Sequence, residues 1–582
     1  MVGRFFLRSF VLVSLLLCGC SREPLNAGKA AMPSVPAAWP HPLTAHDVAA
    51  PHGVVVTDSA LASRVGAEVL RGGGTAVDAA VATAFALAVT LPSAGNVGGG
   101  GFAVVSVNGQ VAALDFRETA PAAATRNMYL DAQGAVTDRS VTGHLAAGVP
   151  GSVAGLWTLH QKYGTKPWAE LVNPAIDLAE RGFPVDADFS SAIADEAKRL
   201  SKFPASAALF LPGGASPAEG SRWSDPDLAH VLKRIAAGGR DGFYKGATAD
   251  LIATEMKNGG GIITREDLEH YEPKWRDPVA FTYRGRRVVS MPTPSSGGLT
   301  LAMIAQQLEA YDLAQLGWHS APAIHVQAEA MRRAFAVRND LLGDPDFVTL
   351  DAGRLSSKAF ARELQSSISL DHATPSTQIP GRGISHDGPH TTHFSVVDAD
   401  GNAVALTTTI NSGFGSAATV TGAGFLLNNE MDDFAAKPGS PNQYGLVQGD
   451  ANAIAPGKRM LSAMTPTIVF GVDGKPAIVT GASGGPFIIT TAWEIVSNIV
   501  DYGMTAGAAM SAPRFHHQHL PDEIALEQDG FETQQALQAL GHRLTFFSVP
   551  KSGWTIAATI ERRAGEWHGM ADPRLHGESA GF

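Results

Sequence analysis

From Ala76 to Thr90 the chain reads AVDAAVATAFALAVT, a helix-length run that is apolar almost all round and broken only by Asp78 and two threonines. A helix without a polar face must be covered on every side, so it demands a body thick enough to enclose it. At about 15 residues it is also too short to cross a bilayer, which takes about 20. Its flanks supply the rest of such a body. Residues 54–57 read as a buried strand, and 59–70 follow at helical spacing up to the stop at Gly72, Gly73 and Gly74. Gly98 to Gly101 lead into a strand at 102–107, which returns through Asn108 and Gly109 into 111–116. No Lys-Ser or Lys-Thr follows that glycine run, so close backbone packing is its expected use rather than phosphate binding.

Helical patterns dominate from Gly151 to about Leu364, at 153–163, 168–181, 228–237, 248–258, 299–311 and 323–342, which predicts an outer helical layer. After about Ser367 the chain turns polar and rich in turn residues, including Pro375, Pro380, Gly381, Gly383 and Gly388. At Thr391 the pattern changes abruptly. Residues 391–398 and 403–409 read as strands joined by a turn at 399–402, followed by strands at 467–472 and 475–480, a helix at 488–501 and a strand at 554–560. Strands bracketed by helices predict sheets with helices packed outside, a layered α/β or α+β body.

Hydrophobic residues are 45% and charged residues 17% of the 582, a globular composition. The net charge of −11 lacks the basic excess that a phosphate backbone requires, so nucleic acid is not an expected partner. Cys18 and Cys20 are the only cysteines, which leaves the body without thiolate chemistry or a zinc-cysteine cluster. They close an export signal. Arg4 and Arg8 flank an apolar run at 10–17, and Leu17-Cys18-Gly19-Cys20 resembles the bacterial lipobox, with Cys20 as the lipidated residue after removal of 1–20. An ordinary signal cut near Ala30 or Ala31 is the alternative. Residues 21–46 are rich in Pro, Ala and Ser and read as a tether.

The histidines at 516, 517 and 519 lack the helical i, i+4 zinc pairing and lie between Pro513 and Pro521, which favours a structural turn. The junction His390-Thr391-Thr392-His393 is more informative, because a glycine-rich loop runs directly into a strand. Attack by the Thr391 hydroxyl on the His390 carbonyl, followed by hydrolysis, would release a new N-terminal threonine. Its α-amine, with an ordinary pKa of about 7.7 to 8.0, can then act as base for its own hydroxyl. Spacing alone leaves open that a Thr-Thr pair is simply a good strand opening.

At these residues the chain resembles the γ-glutamyltranspeptidase (glutathione hydrolase) family of N-terminal nucleophile hydrolases. The likeness runs from Asp47 to Phe582 through Gly72-Gly73-Gly74-Thr75-Ala76-Val77-Asp78, Ala94-Gly95-Asn96, Asp115-Phe116-Arg117-Glu118, Gly343-Asp344-Pro345-Asp346, Thr391-Thr392-His393, Asn428 to Phe434 and Ala512-Pro513-Arg514. It implies a four-layer αββα sandwich of the α+β class, made by a proenzyme that cuts itself into a large subunit, 47–390, and a small catalytic subunit, 391–582. The two stay together as a heterodimer.

The resemblance also implies roles. Thr391 would be the nucleophile, with Thr409 hydrogen-bonding its hydroxyl and the backbone N–H groups of Gly484 and Gly485 receiving the oxyanion. Arg117 would bind the substrate α-carboxylate with Ser462, while Asn411, Glu430 and Asp433 hold the α-amino group. Tyr444 would belong to a loop closing over the bound acyl group. The family pattern has a second serine where this chain has Ala463. The implied reaction takes a γ-glutamyl group from glutathione and similar compounds and passes it to water or to an amino acid or dipeptide amine, with no cofactor and no metal. The implied location is the periplasmic side of a bacterial membrane, held only by the N-terminal lipid, or soluble in the periplasm if Cys20 is not modified. Alternatives are a cephalosporin (glutaryl) acylase, a poly-γ-glutamate transpeptidase, or a non-catalytic exported lipoprotein that binds amino acids.

Overall fold

Two antiparallel seven-stranded sheets carry the body, and each combines strands from both sides of residue 391. The computed structural model describes residues 34–380, 391–440, 442–443, 448–548 and 555–582. The expectations placed on Cys20, the signal segment, His390, Tyr444 and the strand start at Trp554 lie outside the described residues.

In the first sheet the order is Glu578–Gly581, Gly53–Thr57, Thr391–Asp398, Ala403–Thr409, Gly100–Val107, Gln110–Phe116 and Lys274–Arg276. In the second it is Val48–Ala50, Glu566–Ala571, Ala558–Arg563, Pro476–Thr480, Thr467–Phe470, Arg286–Ser290 and Val279–Tyr283. The period of two in each strand sorts the core into layers. Val54 and Val56 face inward to meet Ile468, Val479 and Ile560 of the other sheet, whereas Val55 between them packs under the outer helices. Helices Ala60–Arg71, Ala76–Thr90 and Trp168–Arg181 cover the first sheet, and Gly297–Leu308, Ala321–Leu341 and Phe487–Val500 the second. The result is the expected αββα sandwich.

Helix Ala76–Thr90 is buried along its whole length. Its one carboxylate is satisfied by hydrogen bonds: Asp78 forms a capping box with Thr75 and accepts from the backbone N–H of Thr165 at 2.8 Å. The glycine run also serves packing. A Cβ on Gly98 would strike the Leu426 carbonyl, and one on Gly99 the Thr409 carbonyl, so these glycines let the strand entry lie against the backbone next to the site.

Three features depart from the sequence reading. The hairpin of Val279–Tyr283 and Arg286–Ser290 lies inside the stretch read as helical. Its alternation is present, with Val279, Phe281 and Tyr283 buried and Ala280 and Thr282 exposed, but five residues are too few to stand out among long helices. Helix Ala187–Leu200 was not anticipated. Part of the stretch read as a tether is packed: Trp39 and Leu43 are buried, and the Trp39 indole N–H donates to the Ser511 carbonyl at 2.9 Å.

Candidate functional site

Strand Thr391–Asp398 lies in the middle of its sheet, paired with Gly53–Thr57 on one side and Ala403–Thr409 on the other. Its register sets Thr391 directly opposite Thr409, and the Thr391 hydroxyl donates to Thr409 Oγ1 at 3.1 Å. Thr409 Oγ1 also accepts the backbone N–H of Asn411 at 2.8 Å, which fixes that oxygen from a second direction. Asn411 sits at φ 76, a left-handed conformation that asparagine tolerates better than most residues. Its amide donates to the Asn429 carbonyl at 3.0 Å, tying it to the turn that carries Glu430.

Thr391, Thr409 and Asn411 border one pocket, together with Arg117, Glu430, Asp433, Ser462, Ala463 and Gly485. Residues far apart in the sequence thus converge on one hydroxyl. Gly484 and Gly485 both have positive φ, +126 and +53, at the entry to helix Phe487–Val500. A Cβ at Gly484 would come within 2.8 Å of the Thr555 nitrogen, so only glycine fits. Among the described residues neither glycine N–H carries a hydrogen bond. Unpaired N–H groups at a helix start suit a developing negative charge.

Arg117 is buried and its two terminal nitrogens pair with Glu430 and Asp433, while Glu118 lies 3.8 Å away. Burial opposes the charge on Arg117, but the three carboxylates together hold its pKa above the ordinary value. Burial pushes the Glu118 carboxyl up to about 8 against the pull of Arg117, and raises Glu430 and Asp433 as well. An amino acid head group fits this arrangement by exchange. Its ammonium can take the place of the guanidinium beside the carboxylates, and its carboxylate can take the place of theirs beside the guanidinium, so no buried charge is left alone.

Sequence reasoning missed Arg338, which reaches the pocket from helix Ala321–Leu341 and donates to Ser296 Oγ at 3.1 Å. Burial lowers its pKa to about 10, with Asp433 opposing. Nothing in the helical pattern marks one arginine of that helix as site-facing, because Ser296 and Asp433 lie far away in the chain. Leu461, Met464 and Ile488 add an apolar wall. The histidines near 516 are placed elsewhere: His516 stacks on Phe487 at 3.9 Å between ring centres, and burial lowers its pKa to about 4.

The family profile described as gamma-glutamyltranspeptidase matches residues 62–582. The glutathione hydrolase proenzyme of Escherichia coli (strain K12) is 45% identical over 585 residues, covering 99% of this chain and 98% of that protein. Among solved structures, cephalosporin acylase from Bacillus halodurans superposes with a TM-score of 0.81 at 26% identity, over 94% of this chain and 99% of that one. Helicobacter pylori gamma-glutamyltranspeptidase gives 0.55 at 46% identity, over 56% of this chain and 93% of that one.

Proposed function

This chain belongs to the γ-glutamyltranspeptidase family and is a γ-glutamyltransferase and glutathione hydrolase of the N-terminal nucleophile type, and we propose that Thr391 is its nucleophile. The observation that carries this assignment is the Thr391 hydroxyl bonded to Thr409 in the one pocket that also holds Arg117, Glu430 and Asp433. In the precursor, Thr391 Oγ attacks the His390 carbonyl carbon and the acyl group moves from nitrogen to oxygen. One water then cleaves the ester, leaving a carboxylate on His390 and a free amine on Thr391. The halves remain associated because strand Thr391–Asp398 is laddered to Gly53–Thr57 of the other half.

In turnover the Thr391 amine takes the proton of its own hydroxyl as Oγ attacks the γ-carbonyl of the donor. The N–H groups of Gly484 and Gly485 receive the oxyanion, the proton passes to the departing amine, and a γ-glutamyl ester forms on Thr391. Water yields glutamate, and an amino acid or dipeptide amine yields a new γ-glutamyl compound. Arg117 and Ser462 hold the donor α-carboxylate, while Asn411, Glu430 and Asp433 hold its ammonium. Incubation of the purified protein with glutathione should release glutamate and cysteinylglycine, and failure to do so would remove the reading.

Ala463 lines the pocket, at the position where a hydroxyl would face the α-carboxylate. Hydrogen bonds to charged groups contribute about 1.5 to 3 kcal/mol. Ala463→Ser should therefore lower KM for glutathione up to about tenfold and leave a 4-aminobutyryl donor, which lacks the α-carboxylate, unchanged. Equal effects on both donors would show that position 463 does not face the carboxylate.

No helix among the described residues is long and apolar enough to cross a membrane. We place the anchor at Cys20, so Cys20→Ala should release active enzyme from membranes, because one lipidated terminus supplies the apolar attachment. Radiolabelled fatty acid that never enters the wild-type protein in its bacterial host would rule this anchor out.

A further inference from the structure

Arg117 and Ser462 come from different halves of the precursor, and after the cut no covalent link keeps them in register. Arg117 is held at both ends of its peptide unit. Asp115 Oδ1 accepts its N–H at 3.0 Å, and the Tyr271 hydroxyl donates to its carbonyl at 2.8 Å. Both of these partners also meet Arg459 of the small-subunit half. The Arg459 Nε lies 3.4 Å from Asp115 Oδ1, and its guanidinium lies 5.9 Å from the Tyr271 ring centre.

Arg459 in turn anchors the segment that carries Ser462. Its N–H donates to Asp344 Oδ2 at 2.8 Å, and its Nη2 to the Glu272 carbonyl at 2.7 Å. The next residue, Met460, accepts the Arg117 Nε on its carbonyl at 3.3 Å. Ser462 follows two residues later, its own carbonyl accepting from Ser296 N–H at 2.7 Å. Asp115, Asp344 and Arg459 are almost wholly buried, so these links are shielded from solvent screening.

We propose that Asp115 and Arg459 act together as positioning residues across the subunit boundary, setting the distance between the Arg117 guanidinium and the Ser462 hydroxyl and so the selectivity for donors that carry an α-carboxylate. The proposal rests on the γ-glutamyl reading of the site. Asp115 supplies the fixed point on the large subunit, and its second oxygen is itself held by Arg276 Nε at 2.7 Å. Neither residue lines the pocket.

The test is a double-mutant cycle on the full-length, self-processed enzyme, using Asp115→Asn, Arg459→Gln and the pair. Donors are γ-glutamyl-p-nitroanilide and 4-aminobutyryl-p-nitroanilide, which keeps the ammonium and lacks the α-carboxylate. Each single variant should raise KM for the first donor about tenfold, with kcat changed less than about threefold, and should leave the 4-aminobutyryl donor unaffected. The double variant should be no worse than the worse single one, because the two residues form one link. Effects that multiply, or that fall equally on both donors, would overturn the proposal. If Arg459→Gln remains uncut, Arg459→Lys carries the same comparison, since it keeps charge beside Asp115 while losing the fork that also reaches Glu272. A wild-type enzyme inactive on γ-glutamyl-p-nitroanilide would instead sink the functional reading.

Discussion

Thr391→Ala is expected to give a single uncut chain whose γ-glutamyl transfer is at least about a thousandfold below wild type. One oxygen is used twice in this account, first on the His390 carbonyl and then on the donor, so its loss removes both events. The fold should survive. Thr391 is only partly buried at the end of its strand, and the ladder from Thr392 to Val397 does not depend on the Thr391 hydroxyl. Denaturing electrophoresis with a p-nitroaniline release assay checks both parts. A variant that still divides into two chains would assign cleavage to another group.

The second large effect is expected at Arg117. Arg117→Lys should raise KM for γ-glutamyl donors by about a hundredfold while the precursor still cuts itself, because processing uses no substrate carboxylate. In the structure Arg117 uses separate nitrogens for Glu430 and Asp433 and a third for the Met460 carbonyl. A lysine ammonium is a point charge and cannot span those positions, so one carboxylate of the buried set loses its partner. Steady-state kinetics of the processed variant measure this directly. An unchanged KM would take Arg117 out of the donor site.

How much of this was legible in the sequence depends on chain separation. The Thr391 and Thr409 pairing was accessible, since two strand runs joined by a turn at 399–402 put those residues side by side at the open end of one hairpin. The buried helix Ala76–Thr90 and the packing role of Gly98 to Gly101 were also readable, because both follow from residue type alone. The meeting of Arg117 with Glu430, 313 positions apart, was not visible in any periodicity and entered only through family likeness. Arg338 escaped because a buried arginine within a helical pattern looks like any other polar residue of that helix until its neighbours are known. The segment near Trp39 was misjudged for a similar reason: composition marks a Pro/Ala-rich stretch as a linker, while one indole and one leucine suffice to seat it.

The most direct measurement is N-terminal sequencing of the smaller chain from freshly purified wild-type enzyme. That chain should begin Thr391-Thr392-His393, since only that cut gives the nucleophile a free α-amine across from Thr409. A smaller chain that begins at any other residue, or an active enzyme that remains one chain, would contradict it.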